Sequence, residues 1–154
     1  MAKKKVNWQG GDVFSVRLKD GTYSIGQVLD LQMKNVVRCA FFDERNKNQQ
    51  IANASCDIKN LIALVATTKE QLDFGIWKIL ENRAIEIHID DYPNEQFRNN
   101  GWIGAKVYDA AVVEAFLDAF YSLAPWDDWA DPTYLDKLLV DESKKPNGLI
   151  YNRK

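Results

Sequence analysis

The pair Asp20-Gly21 constrains this chain more than any other feature. It stands between two runs that alternate apolar and polar residues. An Asp-Gly pair tolerates the positive φ of a tight hairpin, so the flanking runs are set antiparallel to one another. In the first, residues 12–18, Phe14, Val16 and Leu18 share one face while Ser15 and Arg17 share the other. In the second, residues 23–31, the residues Tyr23, Ile25, Leu29 and Leu31 are expected on the inner face. A third run, residues 36–43, is β-branched and aromatic, and the polar residues 44–50 follow it. A three-stranded meander is predicted.

Residues 58–66 read as a continuous buried strand, and Thr67-Thr68-Lys69-Glu70-Gln71 carries two overlapping capping-box patterns that begin a helix with Leu72, Ile76, Ile79 and Leu80 on its apolar face. Ile85, Ile87 and Ile89 alternate with Glu86, His88 and Asp90 as a short strand. Residues 92–100 form a loop and residues 101–108 return to extended structure. Asp109 then caps a second helix, whose Val112, Val113, Phe116, Leu117, Phe120 and Leu123 recur at helical spacing until Pro125 stops it. Two prolines and three aspartates make residues 125–132 a loop, residues 133–140 suit a short helix with Leu135, Leu138 and Leu139 inward, and residues 148–151 suit a last strand.

Strands dominate the first half and helices the second, without βαβ alternation. That order predicts an α+β fold: an antiparallel sheet or small open β-barrel of N-terminal strands, with two to three helices packed to one side. The chain has 154 residues, 46% of them hydrophobic, with no internal repeat and no interdomain linker. Residues 1–154 are therefore expected to form a single domain able to bury a sizeable core.

The residue types that carry chemistry are sparse. Cys39 and Cys56 lie in strand-like segments, outside any C-x-x-C pair, and are expected to be reduced, buried small hydrophobes. His88 is the one histidine, on the polar side of a short strand. The pairs Asp90-Asp91 and Asp127-Asp128 lack neighbouring groups that would make them acid, base or metal ligand. No catalytic residue, metal or cofactor is expected, and enzymatic activity is not. The basic start, Met1 to Lys5, runs into polar residues, so no export signal is expected. The longest apolar stretch, residues 61–66, falls far short of the ~20 residues that cross a bilayer. A cytoplasmic protein without a membrane partner is the expectation.

Charge distribution points to a partner. Residues 1–50 carry nine Lys and Arg against five Asp and Glu, whereas residues 86–136 carry eleven carboxylates against two cations, Arg98 and Lys106. Aromatic residues are interspersed with these acids. Carboxylates steer a basic partner while Trp and Tyr anchors supply binding energy, so Asp90, Asp91, Tyr92, Glu95, Trp102, Trp126, Asp127, Asp128, Trp129 and Asp131 are the candidate protein-binding residues. Trp102 and Trp126 suit core packing as well. A β-barrel nucleic-acid-binding or regulatory module is the alternative, resting on Lys3, Lys4, Lys5, Arg17 and Lys19, but the acidic second half would repel phosphate.

Residues 11–18, Gly-Asp-Val-Phe-Ser-Val-Arg-Leu, followed by the Asp-Gly turn and an aromatic strand with Gly26 before its end, resemble the immunity protein 26 family of bacterial polymorphic-toxin and contact-dependent growth inhibition systems. Gly101-Trp102-Ile103-Gly104 and the residues 134–139 are similar too, while Arg17 stands where the family pattern has proline. The resemblance implies an antitoxin-like protein that binds and neutralises a cognate toxin, a nuclease among the options, in the cytoplasm of the producing cell. A basic toxin domain would complement the acidic aromatic residues.

Overall fold

The computed structural model describes residues 5–53 and 55–152; Lys3 and Lys4 of the basic start lie outside the described residues. Five strands form one open antiparallel sheet: β1 (Asp12–Arg17), β2 (Tyr23–Met33), β3 (Val36–Asn46), β4 (Leu61–Thr68) and β5 (Lys78–Asn82), in the order β4-β3-β2-β1-β5. With helices α1 (Glu70–Asp73) and α2 (Ala110–Phe120), the architecture is α+β, and the sheet stays open rather than closing as a barrel. The Asp-Gly hairpin is present. Gly21 takes φ +84°, and the Asp20 carboxylate accepts from the Thr22 hydroxyl at 2.6 Å and the Thr22 amide at 3.0 Å.

Both faces of the sheet are covered, which alternation alone does not reveal. Phe14, Val16, Val28, Val37, Phe41 and Val65 pack toward α2, whose Val113, Phe116, Leu117 and Phe120 follow helical spacing. On the opposite face Val13, Ile25, Leu29, Ala40, Phe42 and Leu61 form a second, smaller core with Cys56 and Ile87. Ile25 and Leu29, expected on the inner face, therefore look away from α2. Leu31 is 52% exposed, because bulges near the end of β2 carry it past the cover. Gly26 lies under an aromatic cluster: Phe14 stacks on Trp77 with centroids 5.2 Å apart and meets Phe41 edge-on at 5.8 Å. A Cβ at Gly26 would stand 2.5 Å from Phe14 Cζ.

Several expected elements are corrected. The helix expected to carry Leu72, Ile76, Ile79 and Leu80 is the single turn α1; Gly75 at φ +72° breaks it, so Trp77 is buried against Phe14 and the chain continues as β5 alongside β1. Ile85, Ile87 and Ile89 form no strand; Ile87 is buried in irregular chain and Ile89 begins a 3-10 turn, Ile89–Asp91. The extended run at residues 101–108 is a turn with one bridge, Tyr108 to Thr67. Asp109 caps α2 as expected, its carboxylate accepting from the Ala111 amide at 2.9 Å, but α2 ends before Leu123, where Ser122 takes φ +61°. The last two segments reduce to a 3-10 turn, Tyr134–Leu138, and a bridge between Ile150 and Pro125.

Candidate protein-interaction site

One charge interrupts the apolar run of β3. Arg38 shares a face with Ala40 and Phe42, and its side chain is 0% exposed. An ion buried so completely must be paired and hydrogen-bonded to be tolerated. Arg38 Nε and Nη2 donate to the two carboxylate oxygens of Asp30, each at 2.6 Å. Nη1 donates to Glu95 Oε1 at 2.7 Å and to the Pro93 carbonyl at 3.1 Å. The Tyr92 and Trp102 rings lie over the guanidinium, 5.0 and 5.3 Å from its carbon. Burial by itself would lower the Arg38 pKa, but the bonds from Asp30 and Glu95 outweigh it and raise it. Donation from Arg98 and Arg38 holds the Glu95 carboxyl down at about 2.

The loop that delivers these groups is closed by Asn94. Its side chain donates to the Lys106 carbonyl at 2.8 Å and accepts from the Lys106 amide at 2.9 Å. Within the loop Trp102 sits at φ +66°, between Gly101 at +63° and Gly104 at +95°. A bulky residue in the left-handed region costs on the order of 1–3 kcal/mol. The strain is held by cation–π contacts of the Trp102 ring with Arg38 and, at 5.0 Å, with Arg98. Three candidate binding residues, Tyr92, Glu95 and Trp102, thus converge on one internal cation and fasten the loop to the sheet.

Asp90 and Asp91 are exposed in the adjoining 3-10 turn. His88 precedes them, its Nδ1 accepting from the Asp90 amide at 3.2 Å. The two carboxylates border an open groove of about 500 Å³ whose walls include Ile58, Leu61, Leu64, Ile87, Tyr92 and Val140.

The remaining candidates lie on the α2 side. Trp126 is fully buried against Phe116 and donates from Nε1 to Asp136 at 2.7 Å. Asp127 is buried as well, and its carboxylate accepts from the Asn152 amide at 2.7 Å, tying down the C-terminal segment. Asp128 is exposed. Trp129 is half-buried and stacks on Tyr134 with centroids 4.9 Å apart. Asp131 is exposed and caps Thr133, whose hydroxyl and amide hold its carboxyl down at about 2. The ten candidates therefore fall in two groups, one over the smaller core and one beside the larger.

Missing from the sequence reading were Arg38 and the aliphatic groove walls. Arg38 carried a signal, since a charge inside an apolar strand demands a buried counter-ion. Ile58, Leu64 and Val140 carry none, because Val140 joins the other two only when distant parts of the chain meet in space.

The two thiols are buried in opposite cores, Cys39 under α2 and Cys56 beneath the smaller cover, and both are free. Burial pushes both thiols up, that of Cys56 to about 12, so neither is a thiolate at neutral pH. Among the described residues no group of three or more His, Cys, Asp or Glu could hold a metal ion, and no helix is long and apolar enough to cross a membrane.

A family model described as Immunity protein 26 matches residues 9–100. The matched span holds all five strands, Arg38, Asp30 and Glu95, and stops short of Trp102 and α2. No curated protein and no solved structure matches the chain.

Proposed function

The chain belongs to the Immunity protein 26 family, and from that premise we propose that it binds a cognate bacterial toxin in the cytoplasm of the producing cell and neutralises it by contact, without catalysis. The family match is the observation that carries this reading. The proposal takes residues 1–154 as one domain, which is supported by α2 and the later Trp126, Leu135 and Leu138 sharing a core with the strands of the matched span.

Recognition is assigned to the acidic aromatic residues, in two roles. Asp90, Asp91, Asp128 and Asp131 are exposed and can meet a basic toxin domain, with the half-buried rims of Tyr92 and Trp129 as apolar contacts. Glu95, Trp102, Trp126 and Asp127 act indirectly, by holding the segments that present the others. No cofactor or metal takes part.

The test is to purify the chain with the toxin domain encoded beside its gene and to express both in a sensitive host. A stable complex and restored growth are expected. Absence of a complex at micromolar concentrations, together with unprotected cells, would refute the assignment.

A further inference from the structure

Resting on the immunity reading, we propose that the groove between β4 and the Ile89–Asp91 turn is where the toxin anchors, and that its occupant is a basic segment presenting an aliphatic or aromatic side chain flanked by Lys or Arg. Three separate parts of the chain build this groove: residues 58–64 supply Ile58, Leu61 and Leu64, residues 87–96 supply Ile87, the two carboxylates, Tyr92 and the polar Asn94 and Gln96, and Val140 adds a further wall residue.

The apolar side chains that stand among the polar ones in these walls are the first reason. Ile58 is 50% exposed and Val140 38%, and they line the same groove as the buried Leu61 and Ile87. Ile89, in the same turn as the carboxylates, is exposed too. Apolar area gathered in a concave site and rimmed by charge is the form a hot-spot pocket takes. At about 500 Å³ the groove admits a few side chains rather than a whole helix.

Charge is the second reason, and it selects the occupant. Several carboxylates elsewhere are matched by a cation within the chain, among them Asp30 and Glu95 by Arg38, Asp20 by Arg45, Asp73 by Lys69 and Asp136 by Lys145. At the groove Asp90 has only exposed His88, 3.4 Å away, and Asp91 has no ion pair among the described residues. The groove walls include no Lys or Arg, and the nearby Glu86 carboxylate accepts from the Ile58 amide at 3.3 Å, adding to the negative field. Phosphate or an acidic peptide would be repelled, whereas a cation beside an apolar anchor meets both surfaces at once.

The walls are also held in place before anything binds. Tyr92 is fixed over Arg38, the Val140 amide donates to the Ile62 carbonyl at 2.8 Å, and Asp57 caps the turn that carries Ile58 by accepting from the Lys59 amide at 2.9 Å. Pre-set walls reduce the ordering that association would otherwise require.

The experiment measures affinity for the toxin domain encoded beside the gene, by calorimetry at low and high salt, for the full chain and for three variants. Asp90→Lys with Asp91→Lys is expected to weaken binding ~10-fold to 100-fold, with the loss shrinking as salt screens the charges. Ile58→Glu and Val140→Glu are each expected to weaken it ~10-fold or more. Because all four side chains are exposed, thermal unfolding should match the unaltered chain. If that chain binds and every variant binds within ~2-fold of it, the groove is not the anchor while the immunity reading stands. If no complex forms with the unaltered chain, both fail. If the chain instead self-associates in sedimentation and Ile58→Glu abolishes that, a second copy is the occupant and the assignment to a toxin is overturned.

Discussion

Replacing Arg38 with Met should remove the ion that fastens residues 92–102 to the sheet, at nearly constant volume. Arg38 makes four hydrogen bonds, two of them to Asp30 as a bidentate pair, and lies under two aromatic rings. Removing one member of a buried ion pair typically costs about 3–5 kcal/mol, mostly because the orphaned charge stays desolvated. Here the orphans can partly rehydrate, since the Asp30 side chain is 33% exposed and that of Glu95 18%. Lost cation–π attraction adds back about 1 kcal/mol. The expected destabilisation is therefore about 2–4 kcal/mol by urea unfolding. Arg38→Lys keeps the charge but loses the fork that matches Asp30, and about half that loss is expected. Adding Asp30→Asn and Glu95→Gln to Arg38→Met should recover part of the stability, because no unpaired charge remains. A single Met variant within about 0.5 kcal/mol of the unaltered chain, or a triple variant no more stable than the single one, would show that the buried pairing is not what holds this loop.

Other expectations follow from individual contacts. The Glu95 carboxyl lies near 2 in the fold against an ordinary 4.5, so its contribution is fully present above pH 4.5 and is lost as pH falls toward 2. Urea midpoints across that window should drop less in Glu95→Gln than in the unaltered chain. Asp127 and Asp128 should separate sharply: Asp127→Ala removes the buried carboxylate that accepts from the Asn152 amide and should cost about 1–3 kcal/mol, whereas Asp128→Ala, at an exposed site, should stay within about 0.5 kcal/mol. Equal effects in thermal melts would contradict the placement of Asp127. Gly26→Ala drives a methyl into the Phe14 ring 2.5 Å away and should cost about 1–3 kcal/mol by chemical denaturation, with a neutral result showing that the aromatic cluster can slide.

The parts of the fold legible in the sequence are those set by neighbours along the chain. The Asp20-Gly21 hairpin is an example: its turn is closed by bonds between Asp20 and Thr22, so local chemistry determines the pairing of β1 with β2. The cap at Asp109 and the apolar spacing of α2 are local in the same sense. Of the acidic aromatic residues, Asp90, Asp91, Asp128 and Asp131 are exposed, and Asp131 is paired with Lys137 at 3.2 Å.

Where competing local preferences were close, tertiary contacts chose. Leu72, Ile76, Ile79 and Leu80 satisfy a helical period, yet β1 had an open edge and Trp77 a place on Phe14, so the chain turned at Gly75 and paired as β5. Alternation along a strand says which residues share a face but not whether one face or two will be covered, and the second core under Ile87 and Tyr92 reversed the sense of inside for Ile25 and Leu29. The division of the ten candidate residues was decided in the same way. By sequence alone Glu95 and Asp91 are equivalent acids, and Trp126 suits either a core or an interface. Only the fold brings Arg38 within 2.7 Å of Glu95 and leaves Asp91 without an ion pair among the described residues. Only the fold, too, closes Phe116 over Trp126, because burial and ion pairing depend on segments that meet in space after the chain has returned from far away.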